Sequence, residues 1–192
     1  MRTRGPRGQP LREHIARVAA ELFYRDGIHV VGVDRVASEA SITKRTLYRH
    51  YRSKDELIAA ALRAAPRIVF PVEGTPREQI LGAFGALEAF LAGTQYRGCP
   101  YIIFAAELAD RRHPARTVIE ALLARRREWF RDRAAAAGAN DPELLAEQLD
   151  VVFDGALASG SKRGDVRPLQ AAALTARLLL DSALDRGRVL SK

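Results

Sequence analysis

Residues 31–51 read VGVDRVASEASITKRTLYRHY. Their spacing predicts a short helix, a tight turn and a second short helix. Val33, Val36, Ala37 and Ala40 fall at i, i+3, i+4 and i+7 on one apolar face, which sets the first helix at 33–40. Ser41 and Ile42 make the turn, and the second helix covers 43–51.

At about 100° per residue, Thr43, Leu47 and Tyr51 share one side of the second helix and can pack on the first. Lys44, Arg45, Tyr48 and Arg49 share the opposite side, a patch of cations and one phenol with no carboxylate in it. A short helix held on a partner helix, with a basic outer face, suits the major groove of DNA. Arg and Lys donate to guanine O6 and N7 there, and Tyr reaches a phosphate or a thymine methyl. A solvated basic surface helix is the plainer alternative, and the surrounding helix-turn-helix pattern is what favours DNA.

This stretch resembles the DNA-binding domain of TetR-type bacterial repressors. The resemblance rests on Gly27, Val33, Val36-Ala37, Ala40-Ser41-Ile42, Thr46-Leu47-Tyr48, Tyr51 and Ser53-Lys54-Asp55-Glu56-Leu57, and covers residues 10–62. Two positions depart from the usual pattern. Gly32 stands where Ser or Thr commonly caps the helix, at a cost of roughly a few tenths of a kcal/mol. Ser41 replaces a turn glycine and carries strain if the turn needs φ > 0. The resemblance implies that Thr43, Tyr48, His50 and Lys54 anchor on phosphate. It implies further that the helix starting near Lys54 links the head to an effector domain.

Charge is distributed in keeping with this. Residues 1–62 hold 12 Lys/Arg against 7 Asp/Glu, and residues 63–192 hold 19 against 16. A third of the chain therefore carries more than half of the net +8, which favours a polyanionic partner at that end. Arg2, Arg4 and Arg7 form a basic arm over 1–9 that either lies on DNA or is a solubilising tail. The single cysteine, Cys99, excludes an internal disulfide framework. No apolar run suits a bilayer or a signal peptide, so no membrane partner is expected and a cytoplasmic location is.

Helical periodicity continues throughout, and the fold class is all-α, with about nine helices. The first helix starts at Pro10 and ends at Gly27; with the pair above it makes a three-helix head over 10–52. Ser53 and Glu56 form a capping box that opens a connecting helix, 53–65, stopped by Pro66. PRIVFPVEGTP at 66–76 is the domain boundary, and 66–192 make the second domain. Its helices are read from Thr75-Pro76 to Gly93, 101–110, 115–137, 142–158 and 169–185, with a polar loop SGSKRGDVRP between the last two.

The helices near 142–158 and 169–185 are apolar on more than one side and rich in Ala and Gly. Packing within one chain would give this composition; the resemblance implies that they pair with their copies in a homodimer, which would let two heads read a palindrome. Phe84, Leu87, Phe104, Leu122, Trp129, Phe130 and Phe153 form an ordinary core or line an effector pocket, with Cys99, Glu107, Glu88 and Gln148 as polar candidates. The resemblance, not the residues, points to a pocket for a small-molecule effector, whose identity does not transfer.

His14, His29, His50 and His113 are too scattered for a metal motif, and no P-loop, G-x-S-x-G or G-x-G-x-x-G occurs, so neither catalysis nor a cofactor is expected. The arginines of 125–133 are interrupted by Glu128 and Asp132 and read as a solvated face rather than a DNA contact. The combined expectation is a ligand-responsive, sequence-specific DNA-binding regulator, a repressor acting as a dimer. The alternative is a small-molecule binding protein whose basic head is not a specific DNA reader.

Overall fold

The computed structural model describes residues 9–92 and 98–185. These hold nine α-helices and no strand: α1 Gln9–Asp26, α2 Val33–Glu39, α3 Lys44–His50, α4 Lys54–Ala64, α5 Pro76–Ala92, α6 Pro100–Glu107, α7 Pro114–Ala136, α8 Pro142–Arg163 and α9 Arg167–Asp185. The all-α expectation holds. Two compact units divide the chain, the described parts of Met1–Pro66 with Pro100–Ala121, and of Arg67–Cys99 with Leu122–Lys192. The sequence reading placed 66–192 in one domain. Local punctuation carries no sign that 100–121 packs with the first unit.

In the first unit α1 packs on α4 and α2, and α2 packs on α3. Ile15, Phe23, Leu47, Leu57 and Leu62 are at most 1% exposed. Burying each such side chain contributes roughly 1.5–3 kcal/mol. The helix ends follow from residue chemistry. Gly27, at φ +91°, ends α1. Gly32 is the extended N-cap of α2, without a side-chain bond. At the entry to α4, the Ser53 hydroxyl accepts the Glu56 amide at 3.1 Å. Glu56 reaches back to the Arg52 amide at 2.8 Å, one residue beyond the usual capping-box partner. Ala65 is extended ahead of Pro66, which closes the helix.

The returning segment is held by side chains. The Glu107 carboxylate accepts the Ile28 amide at 2.8 Å, and His29 Nε2 donates to the Glu107 carbonyl at 2.8 Å. His113 Nδ1 accepts the Ala115 amide, leaving Nε2 3.3 Å from Asp55 on α4. Helix α6 stops at Glu107 rather than Asp110. The Arg116 guanidinium donates to the carbonyls of Ala105 and Leu108, which satisfies the helix end.

In the second unit α9 packs on α8 and α5. A capping box opens α5: Glu78 Oε2 accepts from the Thr75 amide and hydroxyl, both at 2.8 Å. Gly93, expected to close this helix, lies outside the described residues. Helix α8 runs to Arg163, so SGSKR is helical and not loop as expected. The physical stop is Gly164, left-handed at φ +61°. Gly160 is no breaker either; a Cβ there would lie 2.6 Å from Leu169 Cδ1, so its hydrogen is what lets α9 approach.

Candidate DNA interface

The helix-turn-helix pair is a support with one working face. Leu47 is 0% and Tyr51 1% exposed, and the Tyr51 hydroxyl donates to the Arg12 carbonyl at 2.7 Å, tying the end of α3 to α1. Burial pushes the Tyr51 phenol above its ordinary pKa, so it keeps its proton and the bond at neutral pH. Thr43 caps α3, its hydroxyl accepting the Thr46 amide at 3.1 Å. The turn carries Ser41 at φ +55°, the left-handed conformation that a glycine would adopt without strain.

On the outer side, Thr43, Lys44, Arg45, Tyr48 and Arg49 are exposed, and His50 and Lys54 are half-buried. Among the described residues Arg45 and Arg49 make no hydrogen bond or ion pair. Lys44 differs. Its Nζ donates to Asp34 Oδ2 of α2 at 2.9 Å, a contact that holds the ammonium pKa above its ordinary value. The patch read from α3 alone had no carboxylate; the tertiary fold brings one in. Arg35 pairs with Asp26 at 2.7 Å, and Asp26 also binds Arg25. Arg2, Arg4 and Arg7 lie outside the described residues.

The residues expected to line an effector pocket do not fall in one compact unit. Phe104 and Glu107 belong to the first, where Glu107 is engaged with Ile28. In the second, Phe84, Leu87, Cys99, Phe130 and Phe153 are buried and Leu122 and Trp129 half-buried. Phe70, in the stretch read as a boundary, joins them, its ring centroid 4.6 Å from Trp129, 5.8 Å from Phe130 and 5.6 Å from Phe153. Its only sequence signal was an apolar pattern broken by prolines. Glu88 and Gln148 are exposed. Gln148 lines a shallow groove of 130 Å³ with Asn140, Leu144 and Leu179.

Most of the second basic run is engaged rather than free. Arg126, expected on a solvated face, is half-buried; its Nε donates to Asp150 at 2.5 Å, its Nη2 lies 2.8 Å from Asp154, and its guanidinium stacks over Phe153. Arg127 lies 3.3 Å from Glu147, and Arg131 pairs with Asp132. Arg133 donates to Gln79 and lies over Trp129.

The sequence profile of bacterial regulatory proteins of the tetR family matches residues 15–61, which contain α2 and α3 whole. A solved TetR transcriptional regulator of Streptomyces avermitilis, sav143, is 37% identical over 91% of this chain and 98% of its own, with a TM-score of 0.80. The chain belongs to the TetR family. A second TetR-family structure, SCO4454 of Streptomyces coelicolor, is 25% identical over 92% of this chain and 95% of its own, at a TM-score of 0.75. The Escherichia coli regulator UidR is 35% identical over 71 residues, so the match spans 36% of its length. The relatives of this TetR-family chain are thus named as transcriptional regulators, not enzymes. Among the described residues no helix is long and apolar enough to cross a membrane.

Proposed function

We propose that this TetR-family protein is a ligand-responsive, sequence-specific DNA-binding regulator, a repressor that binds a palindromic operator as a homodimer in the cytoplasm. The observation that carries the reading is the pair of unengaged guanidiniums, Arg45 and Arg49, on a helix anchored from its opposite side by the buried Leu47 and Tyr51. A rigid back and free donors are what a major-groove reader needs. Lys44, Arg45, Tyr48 and Arg49 meet base edges and backbone. Thr43, Tyr48, His50 and Lys54 hold phosphates, and the arm of Arg2, Arg4 and Arg7 follows the duplex.

Dimerisation is supported by apolar surface on α8 and α9. Leu144 and Val151 are 55% and 64% exposed, and Leu174 and Leu178 are 65% and 69% exposed. Their i, i+7 and i, i+4 spacing makes one stripe per helix, suited to a four-helix bundle with a second copy. An effector that meets the aromatic side chains around Phe70, Phe84, Trp129, Phe130 and Phe153 is largely apolar. An effector acts by changing the separation of the two recognition helices, which must stay near about 34–36 Å to dock together.

A salt-series binding assay tests this, using the duplex upstream of the protein's own coding region and a scrambled control. Tight binding by two subunits, preferring a natural sequence, is expected. Arg49→Ala should lose sequence preference, whereas Lys54→Ala should weaken all duplexes alike and reduce the salt slope. Equal binding to all duplexes, followed by failure of an unbiased duplex selection to yield a preferred sequence, would sink the reading.

A further inference from the structure

The Asp34–Lys44 contact is hard to account for as stabilisation alone. Both side chains are mostly exposed, 72% and 52%, and an exposed ion pair of this kind contributes little to folding. It joins the first turn of α2 to the first residue of α3. Tyr48, the next residue on that face, is close enough to Lys44 to act on it electrostatically. The carboxylate therefore stands at the edge of the proposed DNA-contacting surface, where phosphates repel it. Asp26, by contrast, is paired with two arginines, Arg25 and Arg35. A carboxylate in that place lowers affinity for DNA in general, unless a base offers it a donor.

Base edges do offer one. Cytosine presents N4–H₂ in the major groove, which Asp accepts, and guanine presents O6 and N7, to which Lys donates. In a G·C pair, N4 and O6 are themselves hydrogen-bonded, about 2.9–3.0 Å apart. The Asp34 carboxylate and Lys44 ammonium are separated by 2.9 Å. The two dyads have matching spacing and opposite polarity, acceptor against N4 and donor against O6. Adenine N6 and thymine O4 present the same dyad, but O4 stands beside a methyl group and lacks the N7 that flanks guanine O6, so Lys has one acceptor instead of two and an A·T pair is the poorer match.

We propose that Asp34 is a specificity-determining residue of this regulator, reading one G·C base pair per half-site together with Lys44. Lys44 donates to guanine and Asp34 accepts from cytosine N4. The inference rests on the DNA-binding reading above. Asp34 also acts against the reversed pairs, because there its carboxylate faces guanine O6 or thymine O4, an acceptor, and is left desolvated without a donor.

The test uses the full-length protein and an operator obtained by unbiased duplex selection, with every base pair of one half-site replaced in turn. Wild type, Asp34→Ala, Asp34→Asn and Lys44→Ala are compared after thermal melts establish that each is folded. The expected result is a single G·C position at which Asp34→Ala loses roughly 5- to 150-fold discrimination while other positions keep theirs. Binding of Asp34→Ala to scrambled duplex should tighten, and its log–log salt slope should steepen by about 0.9, as Lys44 is released to a phosphate. An unchanged base preference in Asp34→Ala, or a loss spread evenly over all duplexes, would overturn the inference while leaving DNA binding intact. A wild-type protein without sequence preference would overturn both.

Discussion

The Glu107 carboxylate accepts the amide proton of Ile28 at 2.8 Å, across 79 residues of chain. This bond fastens the end of α6 to the turn that follows α1, beside Gly27. A Cβ on Gly27 would sit 3.5 Å from the same carboxylate, in ordinary contact; its φ of +91° is what requires glycine there. Glu107→Ala leaves a part-buried amide unpaired and should cost about 1.5–3 kcal/mol, with Glu107→Gln recovering part of it. Urea unfolding monitored by far-ultraviolet circular dichroism checks this. An unchanged midpoint would mean that water replaces the carboxylate without penalty.

Arg126 is a half-buried cation between two carboxylates, the buried Asp150 and the half-buried Asp154. Burial raises the Asp154 carboxyl above its ordinary pKa against the attraction of Arg126, whereas hydrogen bonding to Asp150 helps keep Arg126 charged despite its own burial. Arg126→Met should therefore destabilise the second unit by up to about 3 kcal/mol, chiefly because the buried Asp150 loses its hydrogen-bonded partner; Asp154 is 37% exposed and Arg127 stays 3.9 Å from Asp150, which offset part of the loss. The double variant with Asp150→Asn should recover part of the loss. A cycle of thermal melts measures it, and additive effects would show that the cluster is not coupled.

Glu78 supplies a pH dependence. The Thr75 amide, and then its hydroxyl, hold the Glu78 carboxyl below the ordinary carboxylate range. A depressed folded-state pKa stabilises fully above the unfolded value and is lost as pH falls through the folded value. The stability gap between wild type and Glu78→Gln should therefore be constant at neutral pH and close below about pH 4.3. A gap that persists at pH 2 would place its origin elsewhere.

Ser41 sits at φ +55° in the turn between α2 and α3. A side chain in the left-handed region costs about 1–2 kcal/mol, part of which glycine returns through its freer unfolded chain. Ser41→Gly should raise stability by about 0.5–1 kcal/mol and leave the outer face of α3 unaltered. Differential scanning calorimetry and DNA binding under one salt condition check both parts. A lower melting temperature would show that Ser41 contributes more than its backbone strain removes.

Residues 31–51 determined the working half of this protein by themselves. An apolar period, a turn of two residues and a basic outer face are local patterns, and the 3.6-residue repeat translates them directly into faces. The capping residues Thr43 and Ser53 were legible for the same reason: a cap bonds only three residues away. Other features depend on pairs that no local pattern connects. Asp34 meets Lys44 only because α3 folds back on α2, and Glu107 meets Ile28 only when the chain returns after 79 residues. Phe70 lay in a proline-rich stretch that reads as a linker, yet its ring packs among Trp129, Phe130 and Phe153. The five residues that lengthen α8 looked like loop, because Gly160 weakens a helix unless a neighbour needs its missing Cβ, and that neighbour is Leu169 on the next helix. Composition and spacing decide which face of a helix is apolar, whereas only tertiary packing decides which distant group completes a hydrogen bond, an ion pair or a ring cluster.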